Sequence, residues 1–157
     1  IKIMASIFSK IISKEIPCYK IAENKEFIAF LDINPNSTGH TLCVPKIEVD
    51  NFLDLEKKSY DKLMSFSRDV ALAIKNVIPC KRIGMSLIGL EVPHVHVHLI
   101  PISNMEDMQF VKKIKLNHKQ FDSLAKEINA AYSLSNSIWI VVPTFNSECF
   151  INILPLW

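Results

Sequence analysis

The chain has 157 residues, of which 49% are hydrophobic, so it is long enough to bury a core and is expected to form one domain. Eighteen Lys and Arg residues against 16 Asp and Glu residues give a formal net charge of +2. This balance excludes the strongly basic surface that nucleic acids and membranes attract, so an anionic ligand would need a local site.

The first part of the chain predicts a short helix and then a hairpin. Four apolar residues recur at helical spacing: Ile7, Phe8, Ile11 and Ile12. Pro17 follows this amphipathic segment and ends it. Residues 25–33 (KEFIAFLDI) and 40–46 (HTLCVPK) have strand character, and the turn formers of residues 34–40 between them predict a wide connection.

The second part predicts a long helix, a pair of strands and a final helix. Apolar residues step by three or four along the long helix: Leu63, Phe66, Val70, Ile74 and Val77. Pro79 ends this helix, and residues 81–90 (KRIGMSLIGL) then predict a strand that leads into the histidine run. Asn117 and Gln120 predict a helix cap, and the helix that follows presents Phe121, Leu124 and Ile128.

Residues 132–157 differ in character from the rest of the chain. A serine-rich break precedes apolar segments that contain both tryptophans. We therefore predict a domain over residues 5–131 and a C-terminal tail over 132–157. The tail is interpreted as an appended strand, a partner-contacting segment or sequence foreign to the domain.

The cysteines and the N-terminal segment bear on the cellular compartment. Cys18, Cys43, Cys80 and Cys149 form no Cys-x-x-Cys pair, which argues against a zinc knuckle and favours reduced thiols. Lysines and a glutamate interrupt the N-terminal segment, which lacks the apolar core of a signal peptide. No apolar run approaches the ~20 residues of a membrane span, so we expect a cytoplasmic protein.

Residues 94–98 (HVHVH) carry three of the five histidines. In an extended segment His94, His96 and His98 would share one face, at intervals of roughly 6.6 Å. Aligned imidazoles repel one another if charged and are costly to bury without partners. The alignment therefore indicates a functional site.

Two kinds of site need such an alignment. In a metal centre, His-x-His supplies two ligands and another histidine or a carboxylate completes the set. In nucleophilic catalysis, the middle imidazole attacks phosphorus while its neighbours orient it and hold phosphate oxygens. The residues that flank the run are Gly89, Pro93 and Pro101, which constrain the backbone and supply no metal ligand. This context favours the nucleophile. His40 could join from the hairpin, and Asp32 would suit ribose hydroxyls, although Asp at such a position commonly caps the turn.

The sequence resembles the histidine triad family at two motifs. Residues 94–100 (HVHVHLI) are similar to its H-φ-H-φ-H-φ-φ signature, and residues 30–46 (FLDINPNSTGHTLCVPK) to its strand, turn and strand before the long helix. The resemblance implies an α+β fold with a five-stranded antiparallel sheet, a long central helix and a short N-terminal helix. It also implies a two-fold homodimer.

The same resemblance implies a nucleotidyl hydrolase or phosphoramidase that uses no metal or cofactor. By this carry-over His96 forms a nucleotidyl-histidine intermediate that water hydrolyses. His94 and His98 orient it and contact the phosphate, and His40 supports the cluster. Asp32 matches the ribose-binding position. The candidate walls of a purine pocket are Phe8, Ile11, Phe30 and Ile33.

The loop before the triad departs from the family pattern. Many members carry Gln and then Ser or Thr after the glycine that corresponds to Gly89, whereas this chain has Leu90 and Glu91. Both Gly89 and Glu91 are candidate nucleotide-binding residues, and Glu91 is either a general acid or a solvated charge. The leaving group stays open, and so do three alternatives: a dinucleoside polyphosphate hydrolase, a non-catalytic nucleotide-binding protein and a histidine metal site.

Overall fold

A computed structural model describes residues 5–137, so most of the predicted tail, with both tryptophans, lies outside the described residues. The helices are α1 (Ile7–Ile12), α2 (Lys57–Val77) and α3 (His118–Ser137). The strands are β1 (Lys20–Glu23), β2 (Phe27–Leu31), β3 (Thr41–Pro45), β4 (Arg82–Ser86) and β5 (Val97–Ile102). Short 3-10 turns at Phe52–Asp54 and Met105–Met108 follow β3 and β5.

The strands form one antiparallel sheet in the order β1-β2-β3-β5-β4. This confirms the predicted five-stranded sheet with a long helix and a short N-terminal helix. β5 lies between β3 and β4, which brings the end of the histidine run beside the hairpin. The topology therefore joins the two motifs that are far apart in sequence.

Side chains alternate between the two faces of β2, and each face is covered by different helices. Phe27, Ala29 and Leu31 belong to the core beneath α2 and α3, whereas Ile28 and Phe30 pack with Phe8 of α1. All five residues of β2 are buried as a result. Burial on both faces explains why residues 27–31 read as a continuous apolar run.

The face beneath α2 and α3 is covered by an apolar core. The stripe predicted along α2 is buried there, with Leu63, Val70 and Ile74 fully enclosed. Phe121 and Ile128 of α3 complete the layer. Removal of this apolar surface from water is the main stabilising contribution that the fold provides.

The opposite face is only partly covered. α1 has six residues and presses Phe8 onto the outer face of the sheet, against Phe30 and three neighbours from β2 and β3. Isolated helices of this length are unstable in water, so α1 depends on these tertiary contacts. Beside α1 the sheet stays open, and the histidines lie at this opening.

The predicted elements hold with shifted ends. Asn117 and Gln120 form the predicted cap, since the amide of each donates to the other's side chain at 2.8 and 3.0 Å. α3 continues to Ser137 and crosses the predicted boundary after residue 131, so that boundary stays a prediction. β1 and the two 3-10 turns were not predicted from their residues. Among the described helices, none has the length and apolar content to cross a bilayer.

Candidate active site

The histidine run enters the sheet later than its alternation predicts. β5 begins at Val97, so His94 and His96 precede the strand and only His98 lies on it. The three rings are nevertheless neighbours, because Phe8 contacts the rings of His94 and His96, and the ring of His96 lies beside that of His98. The register of β3 with β5 would set Pro45 opposite Val95, and proline has no amide hydrogen to extend the ladder. The amide of Val95 instead donates to the carbonyl of Val49 at 2.7 Å.

His96 has a fixed tautomer. Its Nδ1 lies 2.7 Å from the carbonyl oxygen of His94, and a carbonyl only accepts, so Nδ1 carries the proton. In the neutral ring Nε2 then holds the lone pair. Burial lowers the pKa of His96, which favours the neutral form at neutral pH. The ring lines an open cleft, so its free nitrogen is available to an electrophile there.

His98 belongs to a chain of hydrogen bonds that starts in the 34–40 turn. The Asn36 amide donates to Nδ1 of His40 at 3.1 Å, which leaves the proton of neutral His40 on Nε2. That nitrogen lies 3.0 Å from Nδ1 of His98 and donates to it. The proton of neutral His98 is therefore on Nε2, the nitrogen that remains for a ligand.

Both members of this pair are neutral over the physiological range. Burial lowers the pKa of His40 to about 3, and Lys113 and His96 add to the shift. Burial likewise lowers the pKa of His98 to about 3, with His96 and His40 contributing. The ring of His98 lies beside that of His96, with centroids 4.7 Å apart. A neutral N–H donor thus adjoins the candidate nucleophile.

His94 is placed differently from its two neighbours. Its side chain is fully buried and does not line the cleft. Nε2 donates to the Pro45 carbonyl at 2.8 Å, and Nδ1 lies 2.8 Å from the Ser6 hydroxyl. Both ring nitrogens are therefore engaged by the protein, in contrast to the expected phosphate contact. His94 orients His96 through its backbone carbonyl rather than through its ring.

The cleft encloses about 500 Å³ between α1, the end of β2, the 88–92 loop and His96. Most residues predicted for the site line it: Phe8, Ile11, Phe30, Asp32, Ile33, Gly89, Glu91, His96 and His98. His40 lies behind His98 and His94 behind His96. The residues expected to form the purine pocket therefore line the same cleft as His96 and His98.

Asp32 both caps the turn and faces the cleft. Its Oδ1 accepts the Asn34 amide at 2.8 Å, as an Asp in such a turn does. Its Oδ2 lies 3.6 Å from Nδ1 of His40, and the side chain is 16% exposed. The two interpretations of Asp32 are thus compatible, because one carboxylate oxygen serves the turn and the other adjoins the triad.

The 88–92 loop forms one rim of the cleft. Gly89 has φ of +72°, a backbone conformation that favours glycine. Leu90 follows and is 89% exposed, and Glu91 is exposed at the cleft as well. This rim therefore presents one apolar side chain, Leu90, and one charged side chain, Glu91, to the cleft.

Phe110 is a site residue that sequence reasoning missed. Its ring lies edge-on to His98, with centroids 4.9 Å apart, and it lines the cleft. Lys113 lies over the same ring and donates to the side chain of Asn36 at 2.7 Å. The segment between Met108 and α3 has no periodic pattern that would have predicted this contact.

A metal alternative has one set of candidate ligands among residues 5–137. Asp32, His40 and His98 offer ligand atoms within 4.8 Å of one another. Coordination through Nδ1 of His40 would displace the Asn36 amide, and coordination through its Nε2 or through Nδ1 of His98 would break the hydrogen bond between the two rings. The protein's own bonds therefore already engage both nitrogens of His40 and Nδ1 of His98, and Nε2 of His98 is the nitrogen left for a ligand.

Comparison with known proteins agrees with this geometry. The model of the HIT domain family matches residues 13–105. An uncharacterized HIT-like protein of Borreliella burgdorferi is 33% identical over 132 residues, which cover 78% of this chain and 95% of that protein. Adenosine 5'-monophosphoramidase HNT1 of Saccharomyces cerevisiae is 39% identical over 101 residues, 62% of each chain.

The fold has solved counterparts. The crystal structure of a HIT-like protein from Bartonella henselae, described as involved in cell-cycle regulation, superposes with a TM-score of 0.72 at 29% identity. It covers 83% of this chain and 99% of that one. The family match spans more than half of the chain and includes the hairpin and all three triad histidines. The chain belongs to the HIT, or histidine triad, family.

Proposed function

We propose that the protein is a nucleotidyl hydrolase that cleaves nucleoside 5'-phosphoramidates and releases the nucleoside monophosphate. The observation that carries this proposal is the tautomer of His96. Its proton is held on Nδ1 by the His94 carbonyl, and its lone pair lies on Nε2 beside the cleft. A neutral imidazole with a fixed lone pair is a nucleophile that needs no metal.

The proposed reaction has two steps. The lone pair on Nε2 of His96 attacks the α-phosphorus, the phosphorus–nitrogen bond breaks, and its electron pair leaves with the amine nitrogen, which takes up a proton from solvent. Water then attacks the phosphorus of the nucleotidyl-histidine and loses a proton to solvent, the bond to Nε2 breaks with its electron pair returning to the ring, and the monophosphate departs. The Nε2–H group of His98 would donate to a phosphate oxygen as charge grows there in both steps.

The cleft supports a nucleoside as the retained group. Phe8, Phe30 and Ile11 supply apolar walls, and Asp32 lines the same cleft. A carboxylate accepts hydrogen bonds from two vicinal hydroxyls, which suits ribose. A cleft of about 500 Å³ is also within the range of small-molecule sites. A purine against the walls and ribose at Asp32 would bring the α-phosphate towards His96.

The leaving group is proposed to be an amine. A yeast relative carries the name adenosine 5'-monophosphoramidase, and the rim presents the apolar Leu90 and the anionic Glu91, which would repel the further phosphates of a dinucleoside polyphosphate. Adenosine phosphoramidates are therefore preferred over dinucleoside polyphosphates as substrates.

The test is a turnover assay on adenosine 5'-phosphoramidate and, in parallel, diadenosine polyphosphates. His96→Ala should remove nearly all turnover while AMP binding persists, because the walls and Asp32 remain. His118→Ala is the matched control, since His118 is an exposed histidine outside the cleft. Faster turnover of the polyphosphates would reassign the substrate, and absence of any turnover would favour a nucleotide-binding role. Activity lost on chelation would favour the metal alternative.

We also propose that two copies pair around the long helix α2 and β4, the strand that follows it. This strand is at the edge of the sheet, and Met85 on it is half-exposed. An unpaired strand edge with apolar side chains is prone to association, and two-fold symmetry is the commonest way to satisfy it. Light scattering at micromolar concentration should give the dimer mass, and truncation after Tyr132 would reveal any contribution of the tail. A monomer at that concentration would contradict the pairing.

A further inference from the structure

A polar cluster at the start of α1 is not used by the proposed chemistry. It consists of Ser6, Ser9, Glu48 and the ring of His94, which come from the start of α1, the segment after β3 and the histidine run. Ser6 and His94 are buried, so their hydrogen bonds are shielded from water. Buried polar side chains stay in place only where partners satisfy them, and here each one has a partner.

The direction of the hydrogen bonds in this cluster follows from one carbonyl. The Pro45 carbonyl can only accept, so Nε2 of His94 donates to it, and Nδ1 of the neutral ring is an acceptor. The Ser6 hydroxyl therefore donates its single proton to Nδ1, at 2.8 Å. The same oxygen accepts the amide of Ser9 at 3.1 Å, which caps the first turn of α1.

Glu48 closes the cluster from outside. Its carboxylate accepts the backbone amide of Ser6 at 3.2 Å and the hydroxyl of Ser9. Charge-assisted bonds to a backbone amide are stronger than neutral ones. The start of α1 is thus held on one side by the ring of His94 and on the other by the carboxylate of Glu48.

Helix α1 is the element that this cluster holds, and it forms a wall of the cleft. Ile7, Phe8 and Ile11 line the cleft, and the ring of Phe8 lies edge-on to that of His96 with centroids 5.0 Å apart. Its six residues cannot form a stable helix alone, so its position depends on tertiary bonds. If these bonds were lost, α1 would shift and its apolar side chains would move away from the base, whereas His96 would stay in place.

We propose that Ser6, Ser9, Glu48 and the ring of His94 form a clasp that positions α1 as the base-binding wall of the cleft. Ser6 is the central positioning residue, because it bonds to each of the other three. The clasp rests on the proposed function, in which a nucleoside occupies the cleft. His94 then has two separate roles. Its backbone carbonyl orients the nucleophile, and its ring anchors α1, the wall that contacts the base.

The clasp predicts a selective effect on base recognition. In Ser6→Ala, KM for adenosine 5'-phosphoramidate should rise about tenfold, as expected for one buried hydrogen bond and a cap, with kcat nearly unchanged. KM for ribose 5-phosphoramidate, which has no base, should stay the same. A residue that merely stabilises the fold would affect both substrates equally or neither.

Two further variants make the test independent of how well Ser6→Ala folds. Glu48→Ala changes an exposed side chain and should raise KM for the adenosine substrate about threefold, because only the outer bonds are lost. Its combination with Ser6→Ala should be less than additive if both act through one clasp. Ser13→Ala is the control, since Ser13 lies at the other end of α1 and its hydroxyl, which the substitution removes, bonds only to Lys10 and Glu15.

The outcomes separate the clasp from the proposed function. The clasp would be overturned if KM rose equally for the two substrates, or if KM for the adenosine substrate were unchanged in both Ser6→Ala and Glu48→Ala. Turnover by the wild type would still support the hydrolase in either case. If the wild type turned over neither substrate, the hydrolase would fail, and calorimetry with AMP and ribose 5-phosphate would test the clasp. Weaker AMP binding in Ser6→Ala, with ribose 5-phosphate affinity unchanged, would then support it.

Discussion

The two faces of the β-sheet are held by different kinds of contact. On one face α2 and α3 bury a continuous apolar layer in which Leu63, Val70 and Ile74 are fully enclosed. On the other face six residues of α1 are held by Phe8 and by hydrogen bonds from Ser6 to distant parts of the chain. The first face gives the fold most of its stability, and the second leaves room for a ligand.

The difference shows how one sheet combines a rigid support with an open site. Alternation along β2 and β5 sends Leu31 and Leu99 into the apolar core and Phe30 and His98 to the open face. The backbone that carries the site is therefore fixed by packing on its far side. Sites that rest on packed strands hold their geometry more precisely than sites on loops.

The largest expected effect lies on the helix-covered face. Leu63→Ala should lower the free energy of unfolding by about 2–5 kcal/mol, because it opens a cavity in an enclosed core. AMP affinity of the folded fraction should be unchanged, since Leu63 does not line the cleft. Urea unfolding and calorimetry measure the two quantities. Leu72→Ala, on an exposed side of the same helix, is the control, and equal losses in both variants would break the distinction between the faces.

The open face should make stability depend on pH. His98 has a pKa of about 3 in the folded protein, against 6.5 for an ordinary histidine. The unfolded chain therefore binds the proton first, and the stability that the neutral ring contributes is complete above pH 6.5 and lost as the pH falls towards 3. This slope is about 1.4 kcal/mol per pH unit for one such ring.

Removal of the ring should flatten that slope. Between pH 6.5 and 5, the free energy of unfolding of His98→Gln should fall less steeply with decreasing pH than that of the wild type. The difference in slope should approach that of one group that takes up a proton on unfolding, about 1.4 kcal/mol per pH unit. His118→Ala removes an exposed histidine and should keep the wild-type slope. Urea midpoints at several pH values give the pH dependence of stability for each protein. The same pH dependence in all of them would mean that His98 takes up a proton as readily in the folded state as in the unfolded chain.

Asp32 provides a test of the open face as a ribose site. Asp32→Asn keeps an oxygen for the Asn34 amide but removes the charge, so it should lose about 1.5–3 kcal/mol of binding to ribonucleotides. Binding of the 2'-deoxy analogue should fall less. Titration of AMP and deoxy-AMP measures both. Undiminished discrimination between the two sugars in the variant would remove Asp32 from the ribose site.

The smallest expected effect concerns the end of α1. Lys14 follows the helix with φ of +65°, a conformation in which a residue with a Cβ is disfavoured. Lys14→Gly should therefore stabilise the protein by about 0.5–1 kcal/mol or leave it unchanged where chain entropy offsets the gain. Thermal unfolding of this variant beside Lys10→Gly, which should be destabilised within the helix, measures the difference. Similar losses in both would contradict the strain at Lys14.

The apolar face was readable from the sequence because its signal is periodic. The stripe along α2 and the Asn117–Gln120 cap of α3 both appear in the structure. β1 was not predicted, because Lys20–Glu23 has only four residues with charged ends and is too short to show a repeating pattern. Local periodicity identifies elements that are long enough to repeat it.

The open face was only partly readable. The histidine run and the turn at Asp32 pointed to the site, and the family resemblance assigned their roles. The orientation of His94 could not be predicted, because it depends on Ser6 and the Pro45 carbonyl, which are 88 and 49 residues away in sequence. Phe110 was missed for the same reason, since its contact with His98 comes from a segment without a repeating pattern.

Covalent attack by His96 is tested most directly by mass spectrometry of the enzyme during turnover. Wild-type protein quenched at neutral or alkaline pH with excess adenosine 5'-phosphoramidate should carry one nucleoside monophosphate on the tryptic peptide of residues 83–112. Fragmentation should assign the adduct to His96 rather than to His94 or His98, and His96→Ala should carry none. Rapid turnover without any adduct, together with activity abolished by chelators, would contradict the nucleophile and support a metal centre.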